Sequence, residues 1–132
     1  MINDSRKNNP VFGPQPFKIG LFSYLHDGGN ALSTAPGRWR GRWPDIANLA
    51  RMADEGGIDF MLPIARWKGV PGAFNHRLWN YETLTSAAVL AGMTQRIGVF
   101  ATVHTPLVHP VFAAKSLTTI DHLSHGRLTV GL

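Results

Sequence analysis

The sequence has 132 residues, a formal net charge of +5, 44% apolar residues and no cysteine. Without cysteine the chain can form no disulfide, no thiolate metal site and no cysteine nucleophile. No apolar run approaches the roughly 20 residues of a membrane span, and the polar start of the sequence lacks the apolar core of a signal peptide. We therefore expect a cytoplasmic protein that makes no contact with the membrane.

The positive charge reflects scarce acidic residues as much as abundant basic ones, since only 16% of the residues are charged. The densest basic stretch, residues 38–43, alternates arginine with tryptophan and glycine. Such a stretch can stack on single-stranded nucleic acid and neutralise it. A loop of this composition more often covers an apolar pocket or binds a small anion. We favour the second interpretation and expect no nucleic-acid partner.

Along the chain, residues 1–16 contain three prolines and no apolar periodicity, which predicts a flexible leader. From residue 17 on, short apolar runs typical of buried strands alternate with stretches of helical period. The predicted strands are 17–23, 58–63, 97–103 and 127–132. The predicted helices begin at Pro44, near Tyr81 and at Pro110, where a proline fits the first turn of two of them.

Strands that alternate with helices predict a parallel sheet with helical crossovers. A doubly wound, flavodoxin-like sheet could be nearly complete in this length, whereas a (β/α)8 barrel of the TIM type would be present in half. The half barrel is favoured because the sequence stops on Leu132 within a strand, no glycine-rich phosphate loop follows the first strand, and the long polar loops 24–43 and 64–80 both follow strands. We therefore expect an α/β fold over residues 17–132, the N-terminal half of a barrel truncated at its C-terminal end.

Seven short segments, taken together and in order, carry a resemblance to a known family: 18–22, 53–60, 65–69, 81–85, 96–104, 109–110 and 119–127. They resemble the N-terminal part of the bacterial luciferase-like flavin-dependent monooxygenases, in the branch of the pyrimidine, alkanesulfonate and dimethyl sulfone monooxygenases. The most specific of them is the last, in which a helical Asp121 is followed by Ser124, Gly126 and Arg127.

The resemblance implies a barrel that binds reduced FMN at the carboxyl ends of its strands and uses it with O2 to oxidise a small organic substrate. It also implies a separate flavin reductase as partner and a homo-oligomer at full length. Two alternatives remain open: a deazaflavin-dependent oxidoreductase of the same barrel superfamily and a noncatalytic binding fragment. Because such barrels bind phosphate with loops on late strands, we expect the 132-residue chain to be inactive alone.

By position, the resemblance assigns the flavin contact after the second strand to Ala65 and Arg66, whose guanidinium can offset negative charge on the reduced ring. It also implies a non-proline cis peptide bond beneath the flavin, between Ala101 and Thr102. One position departs from the family pattern. Gly131 stands where members often carry an asparagine that hydrogen-bonds the flavin.

Substrate contacts are expected from two loops. His104 lies at the mouth of the third strand and is the predicted substrate contact on that loop. Trp39 and Arg40, in the loop after the first strand, are expected to bind substrate as part of a lid that excludes water.

Other polar positions have structural interpretations. His109 precedes a helix and fits an N-cap. Glu82 complements the dipole of the second helix, with a place in the flavin pocket as the alternative. Asp121 and Arg127 are predicted to pair at the end of the third helix. The spacing of the histidines matches no metal motif, so no metal site is expected.

Overall fold

A computed structural model describes residues 5–74 and 77–132. In these ranges four strands alternate with three α-helices: β1 (Gly20–Phe22), α1 (Trp43–Glu55), β2 (Phe60–Leu62), α2 (Thr83–Met93), β3 (Gly98–Thr102), α3 (Pro110–Leu123) and β4 (Leu128–Gly131). Two short 3-10 turns, Ser5–Asn8 and Pro10–Phe12, precede β1. The predicted order of elements is confirmed, and each helix begins within two residues of its predicted start.

The strands form one parallel sheet in the order β1-β2-β3-β4. Each strand pairs with the next strand along the chain, and a helix connects the two. A doubly wound sheet reverses its strand order at a switch point, whereas a barrel adds its strands in sequence. The order observed is therefore that of a (β/α)8 barrel, of which the described chain contains four strands.

Both faces of the sheet carry apolar side chains. Met61, Val99 and Ala101 are fully buried and belong to the core shared with the helices. Alternate residues point to the other face, where the rings of Phe60 and Phe100 lie with their centroids 5.3 Å apart. Strands that are apolar on both faces are typical of a parallel barrel.

The segment before β1 packs against the amino-terminal end of β4. Asn9 is 1% exposed, and its Nδ2 donates to the Arg127 carbonyl at 3.2 Å and to the Thr129 hydroxyl at 3.0 Å. Where the sequence predicts a flexible leader, the structure instead places a buried asparagine that bonds groups more than 110 residues away. Contacts at that separation leave no local sequence pattern. Residues 1–4 lie outside the described part.

Two buried charged side chains connect the amino-terminal ends of β3 and β4 to the helices. Asp54, in the last turn of α1, accepts hydrogen bonds at 2.7–2.8 Å from the backbone N–H groups of Gln95, Arg96 and Ile97. Arg127 uses all five of its N–H donors, on the Thr94 hydroxyl and the carbonyls of Ala91, Thr94, Ile97 and Ser124.

The predicted pair of Asp121 with Arg127 is therefore wrong. The last carbonyls of a helix have no hydrogen-bond partner within the helix. At the end of α2 these carbonyls accept hydrogen bonds from the Arg127 guanidinium. Burial lowers the pKa of the Arg127 guanidinium, and this is the larger effect. The negative charge that acts on Arg127 is that of Asp54, which partly offsets burial by raising the pKa.

The Asp54 carboxyl group predicts a pH dependence of stability. Burial acts to raise its pKa, but the three backbone N–H groups and the charge of Arg127 outweigh burial and hold the pKa below its usual value. A carboxylate with a lowered pKa stabilises the fold above its unfolded pKa of about 3.9, and the stabilisation is lost as the pH falls through the folded pKa. Urea denaturation between about pH 6 and pH 2.5 should show a flatter decline of unfolding free energy in Asp54→Asn than in wild type. Parallel declines would refute this role.

Candidate functional site

A small cavity lies at the carboxyl ends of β2 and β3. Its volume is about 100 Å³, and its lining residues are Ala65, Arg66, Trp67, Asn80, Tyr81, Glu82, Thr83 and His104. Barrels of this type carry their active sites at this end of the strands. Ligand pockets usually measure roughly 300–1,000 Å³, so this cavity is too small to enclose a whole molecule of cofactor size.

Three of the predicted site residues meet at this cavity. Ala65 and Arg66 come from the loop after β2, and His104 comes from the loop after β3. The Arg66 side chain is exposed and has no hydrogen bond or ion pair with a described residue. The His104 ring lies 5.8 Å from the ring of Trp67, at an angle of 58°. The cavity thus combines a cationic donor with the rings of Trp67, Tyr81 and His104.

Ala101 and Thr102 do not line this cavity, but Thr102 lines a neighbouring cavity of about 560 Å³ together with Trp67, Glu82 and His104. Ala101 is fully buried in the core shared with the helices, so its side chain does not line the cavity. The Thr102 carbonyl accepts a hydrogen bond from the Thr83 hydroxyl at 2.7 Å. The peptide bond between Ala101 and Thr102 is trans, which corrects the cis bond that the resemblance implied. Both residues pair in regular register with β4, and extended trans backbone satisfies this ladder.

Gly131, the position that departs from the family pattern, pairs with Thr102. A β-carbon on Gly131 would lie 3.3 Å from the Thr102 hydroxyl oxygen. The threonine hydroxyl therefore crowds the space that a side chain on this part of β4 would need.

The structure does not bring Trp39 and Arg40 to the cavity. Trp39 Nε1 donates to the Tyr24 carbonyl at 2.9 Å, and its ring packs against the core. Both residues line a separate surface depression with Asp45 and Asn48 of α1. Their contact with substrate stays a prediction, while the hydrogen bond of Trp39 gives that residue a structural role.

A buried polar network, which the sequence analysis missed, organises the loop after β1. The Ser23 hydroxyl lies 2.7 Å from His26 Nε2, and His26 Nδ1 lies 3.1 Å from the Asp27 carbonyl. Because a carbonyl only accepts, Nδ1 carries the proton and Nε2 accepts the serine hydroxyl. Asp27 in turn forms a 3.1 Å ion pair with Arg38. This ion pair binds Arg38, one of the arginines of the basic stretch 38–43, to the loop itself.

Glu82, on the edge of the cavity, is the N-cap of α2. Its carboxylate accepts hydrogen bonds from the N–H groups of Leu84 at 2.8 Å and Thr85 at 2.7 Å, which confirms the interpretation as a group that complements the helix dipole. Burial acts to raise the pKa of Glu82, but these N–H donors hold it below its usual value. Glu82 is therefore a carboxylate at neutral pH and a poor proton donor.

His109 caps α3 through Nδ1, which accepts the Val111 N–H at 3.3 Å, so the predicted N-cap is confirmed. Within residues 5–74 and 77–132, no three His, Asp or Glu side chains are grouped as metal ligands would be. No helix in the described part of the chain is long and apolar enough to cross a membrane.

A sequence profile described as luciferase-like monooxygenase matches residues 18–132. The chain belongs to this family. Its relatives include the pyrimidine monooxygenase RutA of Pseudomonas syringae pv. syringae (strain B728a), 32% identical over 114 residues, which are 86% of this chain and 32% of the relative. RutA of Acinetobacter baylyi (strain ATCC 33305 / BD413 / ADP1) is 31% identical over 83% of this chain and 30% of its own length. The chain spans about a third of the length of these luciferase-like monooxygenases.

Solved structures agree with the family. A riboflavin lyase (RcaE), crystallised with modified FMN and riboflavin, matches with a TM-score of 0.73 and 25% identity over 88% of this chain and 29% of its own. EDTA monooxygenase (EmoA) from Chelativorans sp. BNC1 matches with a TM-score of 0.69 and 22% identity over 88% and 28% of the two chains. The sequence-based assignment to a flavin-dependent monooxygenase family and to part of its barrel is confirmed.

Proposed function

We propose that the chain acts in a flavin-dependent monooxygenase that uses reduced FMN and O2 to oxidise a small organic substrate, with a separate flavin reductase as partner. The observation that carries the proposal is the cavity at the carboxyl ends of β2 and β3 in a chain of this family. Since relatives are named pyrimidine monooxygenases, uracil is the first substrate to test.

The cavity residues fit the edge of a flavin ring rather than the whole cofactor. Arg66 is exposed at the cavity and offers hydrogen-bond donors. A flavin ring carries carbonyl oxygens on its edge, which such donors can bind. The N-terminus of α2, by contrast, is closed by the carboxylate of Glu82, which would repel a phosphate from a helix end suited to anions.

Reduced FMN, when bound, supplies the electrons with which O2 is activated. The chain's own residues bind and shield it. Arg66 would stabilise negative charge on the reduced ring through charge-assisted hydrogen bonds. The rings of Trp67 and His104 would cover it and exclude water. Glu82 caps α2, and its carboxylate oxygens are engaged by the N–H groups of Leu84 and Thr85.

Arg66→Ala is expected to weaken the binding of reduced FMN more than that of oxidised FMN. The loss specific to the reduced form should be about 1–3 kcal/mol, or roughly 5- to 150-fold in Kd, as for hydrogen bonds to a charged group. Anaerobic titrations of the protein with FMN in both redox states measure this difference.

Arg51→Ala provides the matched control, because Arg51 is exposed on α1 and bonds no described residue. Equal weakening of both redox forms would remove the proposed role of Arg66. The titrations use the chain joined to the later barrel strands of its family, on which the phosphate-binding loops are expected. Failure of that protein to bind reduced FMN would contradict the proposed function as a whole. Incorporation of one 18O atom from labelled O2 into uracil or another small substrate tests the oxygenation step itself.

A further inference from the structure

A depression of about 310 Å³ lies at the amino-terminal ends of β3 and β4, at the end of the sheet opposite the candidate cavity. Three segments that are distant in the sequence form its wall: the 3-10 turns before β1, the connection from α2 to β3, and the connection from α3 to β4. Its lining residues are Lys7, Asn8, Asn9, Pro10, Gly13, Gln95, Arg96, His125 and Arg127. The proposed function uses none of these residues.

The charged side chains of this basic depression all have the same sign. Lys7, Arg96 and Arg127 are cationic, His125 adds an imidazole, and none of the described residues that line the depression is acidic. The ammonium group of Lys18 lies at the edge, where it donates to the carbonyls of two lining residues at 2.6 and 3.3 Å. A concave surface lined by charge of one sign concentrates ions of the opposite sign. The depression is therefore suited to an anion.

The base and the rim of the basic depression differ in their hydrogen bonding. At the base, Arg127 is buried and uses all its N–H donors within the protein, while Asp54 partly compensates its charge. At the rim, the side chains of Arg96 and His125 are exposed and bond no described residue. The free donors therefore lie at the solvent-facing rim, where a ligand can reach them.

Hydrogen bonds fix the backbone from which the two rim side chains extend. The Arg96 N–H donates to the Asp54 carboxylate at 2.7 Å. The His125 carbonyl accepts the Asn8 Nδ2 at 2.9 Å, which joins the segment before β1 to the end of α3. Donors that start from a fixed backbone lose less conformational freedom when a ligand binds, so more of the interaction energy appears as affinity.

We propose that the basic depression binds a small phosphate-containing anion. Arg96 donates charge-assisted hydrogen bonds to two phosphate oxygens, and His125 donates a further one. A tetrahedral phosphate presents oxygens in several directions, which fits donors from separate segments better than the two coplanar oxygens of a carboxylate. The volume is at the lower end of the roughly 300–1,000 Å³ of ligand pockets, which favours an inorganic phosphate or a short phosphate ester over a nucleotide.

Isothermal titration of the chain joined to the later barrel strands of its family tests this site, in chloride buffers of constant ionic strength. Inorganic phosphate and pyrophosphate represent a free ion, and glycerol phosphate represents phosphate on an organic molecule. We expect saturable binding of at least one of them. Arg96→Met should weaken it at least about tenfold, as for loss of hydrogen bonds to a charged group. His125→Asn should weaken it about fivefold, and asparagine tolerates the left-handed backbone at this position, where φ is +54°.

Arg51→Met is the matched control, because it removes the same charge from the exposed face of α1, away from the depression. Its phosphate affinity should stay within about twofold of wild type. Equal weakening in Arg96→Met and Arg51→Met would show attraction by net charge alone and would overturn the site, as would the absence of saturable binding by all three phosphates. If Arg96→Met does not fold, His125→Asn decides. Since FMN binding is measured separately, failure of this site leaves the proposed function standing.

Discussion

Replacing Arg127 by methionine is expected to lower the free energy of unfolding by about 3–5 kcal/mol, because it removes a buried charge and leaves its several buried hydrogen-bond partners unpaired. Arg127 is 2% exposed and makes five hydrogen bonds. Methionine fills similar space with apolar atoms but supplies no donor, so carbonyls at the end of α2 and before β3 would stay buried and unpaired. The charge of Asp54 would also lose its compensating cation.

Urea denaturation of wild type and variant measures the loss. Arg51→Met, on the exposed face of α1, should stay within about 0.5 kcal/mol of wild type. Combining Arg127→Met with Asp54→Asn should cost less than the sum of the two single changes, because the two groups interact. A loss under about 1 kcal/mol for Arg127→Met would show that water replaces the guanidinium without penalty.

The parts of the fold that depend on local patterns could be predicted from the sequence. Prolines at the first turns of α1 and α3 and short apolar runs determined the order of elements. Strands that alternate with helices indicated a parallel sheet, and neighbouring strands of a parallel sheet place their following loops at the same end. The resemblance, rather than this pattern, singled out Arg66, and the structure places Arg66 and His104 on the same cavity.

Features that depend on distant partners could not be predicted. Arg127 lies six residues from Asp121 in sequence, yet it bonds carbonyls 30–36 residues away. Asn80 carries no motif, and its unpaired Oδ1 is visible only once the Arg77 carbonyl has taken its Nδ2. Tertiary contacts of this kind determine which polar atoms have a hydrogen-bond partner, and neither composition nor periodicity predicts them.

Gly41→Ala is expected to destabilise the loop after β1 strongly. Gly41 has φ +57°, and a β-carbon there would lie 2.5 Å from the His26 carbonyl carbon and closer still to its oxygen. His26 is fully buried and bonded to Ser23, so its backbone has little freedom to move away. The left-handed conformation adds about 1–2 kcal/mol and the steric conflict about 1–3 kcal/mol, which gives about 2–5 kcal/mol in total.

The same substitution at Gly37 is the matched control, since a β-carbon there meets nothing within 4 Å. Urea denaturation and limited proteolysis of the loop should separate the two variants, and equal stability would refute the close approach.

The loop after β1 also contacts the cavity wall. Its Leu25 carbonyl accepts a hydrogen bond at 3.1 Å from the N–H of Tyr81, the residue after Asn80. Gly41→Ala should therefore weaken FMN binding as well, while Gly37→Ala should not, because the loop supports the segment that brings Asn80 to the cavity.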